Sequence, residues 1–292
     1  MSLEPVSLAD SFVCFSRVCG RPSSHLPLAL ADTWSMPAGS GDSWSEDYER
    51  GRPGWSREVV DLPALPPTAT VLDLGAGTGK LTRLLVPAFS RVIAVEPAEA
   101  MRRILETLCP EAESLPGTAH EIPLADASVD AVFAAQAFHW FEDERAVAEI
   151  VRVLRPRGAL VLMWNLPAGP WEPSTAAVEE LLTGRGPKPS EVSYDPLDLG
   201  KGSRYASDEW SLAESSFEPL QAMRLPNPQT LDRDGLVAYF ASMGWLADLP
   251  DNERLPLLDE VRLLLAGAEY RRLWETHVHW TRLVAGSQSA LS

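Results

Sequence analysis

The sequence predicts an α/β fold, a doubly wound parallel sheet with helices on both faces. Two observations carry that expectation. From residue 69 to 165, short β-branched and apolar runs alternate with segments of helical spacing. The strand candidates are apolar along nearly their whole length, as strands covered on both faces are.

The elements follow in order. TVLDL (70–74) reads as a strand and KLTRLLVPAF as a helix. RVIAVE (91–96) is a second strand, followed by the helical AEAMRRILETL. DAVFAAQ (130–136) is a strand, ERAVAEIVRVLRP an amphipathic helix that proline and glycine terminate, and GALVLMWN (158–165) a fully buried strand. Beyond 170 the pattern loosens. TAAVEELLTG, LVAYFASMGWLADL and LLDEVRLLLAG look helical, 185 to 216 is an irregular polar insertion, and ETHVHWTRLV (275–284) alternates like a late strand. Prolines mark loops elsewhere, among them RLPNPQ from 224. Residues 1–42, rich in Ser, Pro and Gly, are expected to form a flexible extension. Residues 43–292 are expected to form one domain: a core at 69–165, a substrate-side insertion and C-terminal helices at 166–274, and a final strand at 275–284.

The totals exclude several functions. A net charge of −16 repels phosphate backbones, and only two lysines follow residue 80, so no nucleic-acid partner is expected. Cys14, Cys19 and Cys109 show no metal-ligand spacing and read as free thiols of a reducing compartment. The N-terminus is acidic where a secretory signal is basic, and no apolar run approaches the ~20 residues of a membrane helix. A cytoplasmic protein without a membrane partner is expected.

The stretch Asp73-Leu74-Gly75-Ala76-Gly77-Thr78-Gly79-Lys80 carries the chemistry. A phosphate-cradling P-loop requires glycine at position 74 and Ser or Thr at 81, where leucines stand. A dinucleotide loop requires glycine three residues after Gly77, where Lys80 stands. An acid before the glycines can accept backbone N–H bonds and brace the turn, and such a loop suits a cationic ligand better than a pyrophosphate. Glu96 ends the second strand, where doubly wound folds place a carboxylate on ribose hydroxyls. A nucleoside without pyrophosphate, joined to a cation, describes S-adenosylmethionine.

VLDLGAGTGKLT, VIAVEPAEAM, IPLADASVDAVFAAQAFHWF and VLRPRGALVLMWN resemble successive motifs of the class I S-adenosylmethionine-dependent methyltransferases. The flanks YERGRPGW and LVAYFASMGWLADLPDNER resemble its small-molecule, trans-aconitate-type subgroup (methyltransferase type 11). The resemblance implies a Rossmann-like sheet, mostly parallel with one late antiparallel strand. It implies that Asp73, Gly75, Ala76, Gly77 and Gly79 frame the methionine half of the cofactor, Glu96 its ribose and Pro97 its adenine face. Ala119, His120 and Ile122 fall at the adenine edge, although relatives often carry an acid where Thr118 or His120 stands. Gln136 matches the position nearest the sulfonium, and His139 and Trp140 the mouth of the acceptor pocket.

His139 has two readings: general base, because imidazole titrates near neutrality, or a packed residue of the AFHWF turn. Tyr48, Arg50 and Arg52 belong to a segment that folds over the cofactor in the subgroup; Arg52 matches the family arginine for a carboxylate of cofactor or acceptor. Trp55 and Ser56 depart from the subgroup's Tyr-Pro. Trp164, Trp171, Trp245 and Trp274 suit either an apolar pocket or the core, and His277 and His279 read as structural rather than metal ligands. The expected reaction is direct in-line methyl transfer to a small acceptor, a carboxylate or hydroxyl, by a monomer or homodimer. A non-catalytic binder of the same cofactor and a nicotinamide oxidoreductase remain as alternatives.

Overall fold

A computed structural model describes residues 41–141, 143–168, 173–183, 185 and 216–285. The expected extension, nearly all of the polar insertion and Trp171 lie outside the described residues. The chain enters through α1 (Asp42–Gly51) and a short 3-10 turn, Arg57–Val60. Then follow β1 (Thr70–Leu74), α2 (Thr82–Leu85), β2 (Arg91–Val95), α3 (Glu99–Leu108) and β3 (Glu113–Leu115). The second half of the core is β4 (Val129–Ala135), α4 (Glu144–Val153) and β5 (Leu154–Pro167). Beyond it come α5 (Ala176–Thr183), β6 (Gln221–Asp232), α6 (Arg233–Ala241), α7 (Gly244–Ala247), α8 (Asp251–Leu264) and β7 (Glu269–Arg282).

These strands form one seven-stranded sheet in the order β3-β2-β1-β4-β5-β7-β6. β1 through β5 pair in parallel, and β7 runs antiparallel to both β5 and β6. β7 is thus the late antiparallel strand that the sequence motifs imply. The strand order reverses between β1 and β4, where doubly wound sheets open a crevice at their carboxyl ends.

Alternation along each strand feeds two cores. Leu72, Leu74, Val132 and Ala134 pack with Val147, Ile150 and Val151 of α4. Val71, Ala131 and Phe133 pack on the opposite face with Val59, Val60, Leu85 and Phe89. Each Val, Leu, Ile or Phe side chain among them contributes roughly 1.5–3 kcal/mol on burial. A third cluster joins α5, α6 and α8 to Tyr270 and Trp274 of β7.

Four expectations change. The helix expected over KLTRLLVPAF is one turn long, because Pro87 cannot continue it. RLPNPQ is strand rather than loop. It lies in β6, whose only neighbour among the described residues is β7, and an edge strand leaves every second N–H facing away from its partner, where prolines are tolerated. The three-residue β3 has no sequence run of its own, and β7 begins at Glu269 rather than at 275.

Helix α1 touches α6 at Gly51. A Cβ there would stand 2.1 Å from the backbone nitrogen of Tyr239, so only glycine permits this approach.

Candidate cofactor and acceptor site

β1 ends at Leu74 and the chain reverses through Gly75, Gly77 and Gly79, with φ of 71°, 57° and 83°. L-residues rarely hold such angles, and a Cβ on Gly75 would come within 2.7 Å of the Ala137 Cβ. The Gly75 and Ala76 amides both donate to the Val95 carbonyl, at 2.8 and 3.1 Å, which ties the loop to the end of β2.

Glu96, one residue past β2, is buried and completes that tie. Its Oε2 accepts from the Gly77 amide at 2.9 Å and its Oε1 from the Ala98 amide at 2.8 Å. Burial raises its pKa, and the two amide bonds oppose the rise. A carboxylate has about four lone-pair sites, so two remain for a ribose diol.

The sequence suggests Asp73 as the brace of this turn, and the structure puts its bond across the loop, on Thr82 at the start of α2. Asp73 Oδ2 accepts from the Thr82 hydroxyl at 2.7 Å, whereas the loop amides go to Val95 and Glu96. Asp73 Oδ1 is buried with no hydrogen-bond partner among the described residues. Burial first, with the nearby charge of Glu96 adding to it, lifts the Asp73 carboxyl to about 7. A buried anionic oxygen of this kind fits the cationic end of S-adenosylmethionine.

A cavity of about 790 Å³ opens beside the loop. Asp73, Gly75, Ala76, Gly77, Glu96 and Pro97 line it, with Ala119 and His120 further along and Gln136 and His139 across from them. Tyr48 and Arg52 close it from α1 and the residue that follows. Two expected ligand residues do not reach it. Gly79 turns toward α3, where a Cβ would meet Cys109 Sγ at 2.9 Å, so its smallness serves helix packing. Ile122 is buried in the core and donates its amide to Glu149 Oε2 at 2.8 Å.

The remaining expected residues are held as follows. His120 Nε2 lies 2.7 Å from Asp143 Oδ2, the residue whose other oxygen caps α4. Gln136 has φ 51° although it is not glycine, a strain of roughly 1–3 kcal/mol of the kind that collects at functional sites. Its amide donates to the Met163 carbonyl at 2.9 Å and its side chain to the Asn165 carbonyl at 3.4 Å. His139 Nδ1 accepts from Trp164 Nε1 at 3.4 Å, and burial pushes the imidazole down to about 4. It is neutral at physiological pH. Arg52 donates to the Ser242 hydroxyl at 2.7 Å and the Ser242 carbonyl at 2.9 Å, and lies over the rings of Tyr48 and Tyr239.

The sequence pattern of the methyltransferase domain matches residues 72–162. An uncharacterized methyltransferase of Mycobacterium tuberculosis is 39% identical over 221 residues, which span 75% of this chain and 82% of the relative. The chain belongs to the methyltransferases. The fold, the glycine loop and the two acids place it in the S-adenosylmethionine-dependent class I. A malonyl-[acyl-carrier protein] O-methyltransferase of Methylococcus capsulatus is 48% identical over 101 residues, 32% of this chain and 37% of that relative. The sheet also superposes on a structure described as a type II methyltransferase from Anaeromyxobacter dehalogenans, with a TM-score of 0.55, 23% identity, and coverage of 80% of this chain and 99% of that one.

Some residues of the methyltransferase site carry no motif that sequence reasoning catches. Glu49 of α1 accepts from Thr78 Oγ1 at 2.5 Å and meets Lys80 at 3.5 Å and Arg83 at 2.9 Å. Lys80, the residue that spoiled the dinucleotide reading, also donates to the Glu49 carbonyl at 2.6 Å and so fastens α1 to the loop. Asn165 is buried; it donates to the Gly54 carbonyl at 2.8 Å and accepts from Thr276 at 2.6 Å and Asn227 at 3.0 Å. The signal for these residues is their three-dimensional convergence alone. Arg50 turns outward to Asp232 and Asp234. Among the described tryptophans, Trp44, Trp55, Trp140 and Trp274 line the cavity of the methyltransferase, while Trp164 and Trp245 pack in the hydrophobic clusters. His277 pairs with Glu275 at 2.9 Å.

Proposed function

We propose that this methyltransferase moves a methyl group to an oxygen of a small acceptor, a carboxylate or hydroxyl, by direct in-line displacement. The observation that carries the proposal is a continuous cavity of about 790 Å³ running from Glu96 and the glycine loop to Gln136, His139 and an aromatic wall. That volume lies within the roughly 300–1,000 Å³ of small-molecule sites. S-adenosylmethionine supplies an electrophilic methyl group on a sulfonium.

Each residue then has a task. Glu96 takes the ribose diol, and Asp73, with its unpartnered oxygen, takes the ammonium of the methionine end. Arg52 takes a carboxylate with the donors that Ser242 leaves over. Gln136, held in its strained conformation, sits where the acceptor meets the reactive centre. Trp55, Trp140 and Trp274 exclude water from the acceptor, so that orientation and desolvation supply most of the acceleration. The Methylococcus relative is named for oxygen methylation, which supports an oxygen acceptor. The net charge of −16 favours a small acceptor over a polyanion.

The test begins with thermal unfolding in the presence of S-adenosylhomocysteine, S-adenosylmethionine, NADH and ATP. A ligand at 100 times its dissociation constant adds about 2.7 kcal/mol of stability. The sulfur nucleosides alone are expected to raise the midpoint; a rise with NADH instead would return the chain to the oxidoreductases. Formation of S-adenosylhomocysteine with a panel of carboxylic acids, phenols, alcohols and amines then identifies the acceptor, and turnover confined to amines would remove the oxygen assignment.

A further inference from the structure

His139 lines the cavity, and its partner on the side away from it is informative. Trp164 lies in β5, in register with His277 of β7, and is 3% exposed. Its indole Nε1 stands 3.4 Å from His139 Nδ1. An indole N–H can only donate, so Nδ1 must be the acceptor, and a neutral ring then carries its one proton on Nε2. The indole is itself wedged. His279 packs edge-on against it, with centroids 6.0 Å apart and planes at 73°. Burial keeps His279 neutral as well, near 4.

We propose that Trp164 is a positioning residue that fixes His139 in the Nε2–H tautomer, so that His139 meets the acceptor as a hydrogen-bond donor and removes no proton from it. This rests on the methyl-transfer reading of the cavity and adds a selection rule to it. A neutral imidazole already protonated at Nε2, with Nδ1 held by an indole, is not a base for a hydroxyl.

The other titratable groups of the cavity have partners of their own. Glu96 holds two backbone amides, Lys80 holds Glu49, Arg52 holds Ser242 and His120 meets Asp143, while Asp73 holds Thr82 with one oxygen and, on the methyl-transfer reading, the cofactor's ammonium with the other. Burial raises the pKa of Tyr48 and of Tyr239. An acceptor must therefore arrive with an available lone pair. For a carboxylate, one oxygen forms the bond to the methyl carbon as the carbon–sulfur bond breaks, and that electron pair stays on sulfur. The products are an ester and a thioether, and no proton is released. The Nε2–H of His139 would orient the second oxygen of the same carboxylate.

The tautomer is read directly from the intact protein. Long-range 1H–15N spectra of protein labelled at histidine nitrogens, with S-adenosylhomocysteine bound, are recorded from pH 5.5 to 8. His139→Gln identifies the signal. The expected spectrum is a single Nε2–H tautomer at every pH. An Nδ1–H form, a mixture, or titration to imidazolium within that range overturns the proposal. Trp164→Phe, which removes the N–H, is expected to convert the signal to a mixture of tautomers; an unchanged Nε2–H signal in a folded variant overturns the role of Trp164.

Should Trp164→Phe not fold, β-(3-benzothienyl)alanine at 164 keeps the bicyclic shape and deletes only the donor, with the same two outcomes. The rates divide the readings a second way. Gln retains a donor near Nε2, so His139→Gln is expected within about tenfold of wild type while His139→Ala loses 10²–10³-fold in kcat, as loss of one such donor does. Equal loss in both variants, with an acidic limb in the wild-type pH profile, restores the general base. Failure of S-adenosylhomocysteine to bind at all would instead strike the methyl-transfer reading, and the tautomer signal of the free protein would still be legible.

Discussion

Asp73 is where binding and stability pull against each other. Its carboxyl, lifted by burial to about 7, sits well above the usual carboxylate value of ~4, so the folded protein holds this proton more tightly than the unfolded chain. The stability this contributes is complete below pH ~4 and is lost as pH rises to about 7, where folding must bury a bare charge. A cationic ligand reverses the preference. Asp73→Asn keeps the Thr82 hydrogen bond and removes the charge. The unliganded variant is expected to unfold at a higher temperature than wild type at pH 8, and the gap is expected to narrow at pH 5. S-adenosylmethionine affinity of the wild type is expected to rise between pH 6 and 8 and that of the variant to stay flat; calorimetric titration at both pH values checks it, and parallel curves would remove Asp73 from the cation's partners. At Glu96 the exchange to Gln loses one amide bond and both anionic acceptors for the ribose. Hydrogen bonds to charged groups contribute ~1.5–3 kcal/mol, so S-adenosylhomocysteine is expected to bind 10- to 100-fold more weakly. An affinity within twofold of wild type would place the ribose elsewhere.

Among the elements, α1 does the most with the least sequence signal. Its inner end abuts α6 at Gly51, and Glu49 joins it to the glycine loop and α2. Gly51→Ala places a methyl group 2.1 Å from a backbone nitrogen that cannot rotate aside. Overpacking costs ~1–3 kcal/mol, and a backbone clash belongs at the upper end. The urea midpoint is expected to fall accordingly; an unchanged midpoint would mean that α1 and α6 are not in contact. Glu49→Gln is expected to cost less in stability, since the glutamine oxygen still accepts from Thr78 and Lys80 still bonds the backbone carbonyl, but to speed S-adenosylhomocysteine dissociation in stopped flow. The difference in legibility follows from chemistry. β1, β2, β4 and β5 announce themselves because both faces are buried and their central runs are apolar along nearly their whole length. β6 hides because an edge strand needs only half of its amides and admits Pro226 and Pro228. The glycines and Glu96 are readable because local backbone geometry demands them. Glu49, Asn165 and Ser242 serve contacts between segments 29 to 190 residues apart, which no local pattern encodes.

At the scale of the molecule, the sheet presents its crevice at the β1–β4 reversal, and α1 with the residues that follow it is fastened across the crevice to β5 and to the C-terminal half. Arg52 is bonded to Ser242, Gly54 to Asn165 and Asn227, and the Gly51 carbonyl to Gln229. Gly79 and Ile122 show the limit of motif-based assignment, since both stand within cofactor motifs yet serve helix packing and the core. A motif names a segment, and the direction of each side chain is settled by what packs behind it. The near-contact of Gly51 with the Tyr239 backbone carries a kinetic corollary. The helix that brings Trp44 and Tyr48 to the cavity is packed on the C-terminal half, and lifting it would separate it from the backbone of α6. Residence time of a bound nucleoside is thereby expected to respond to substitutions in α6 and α8 that lie outside the cavity wall, and hydrogen exchange in α1 and α6 is expected to slow together when it binds.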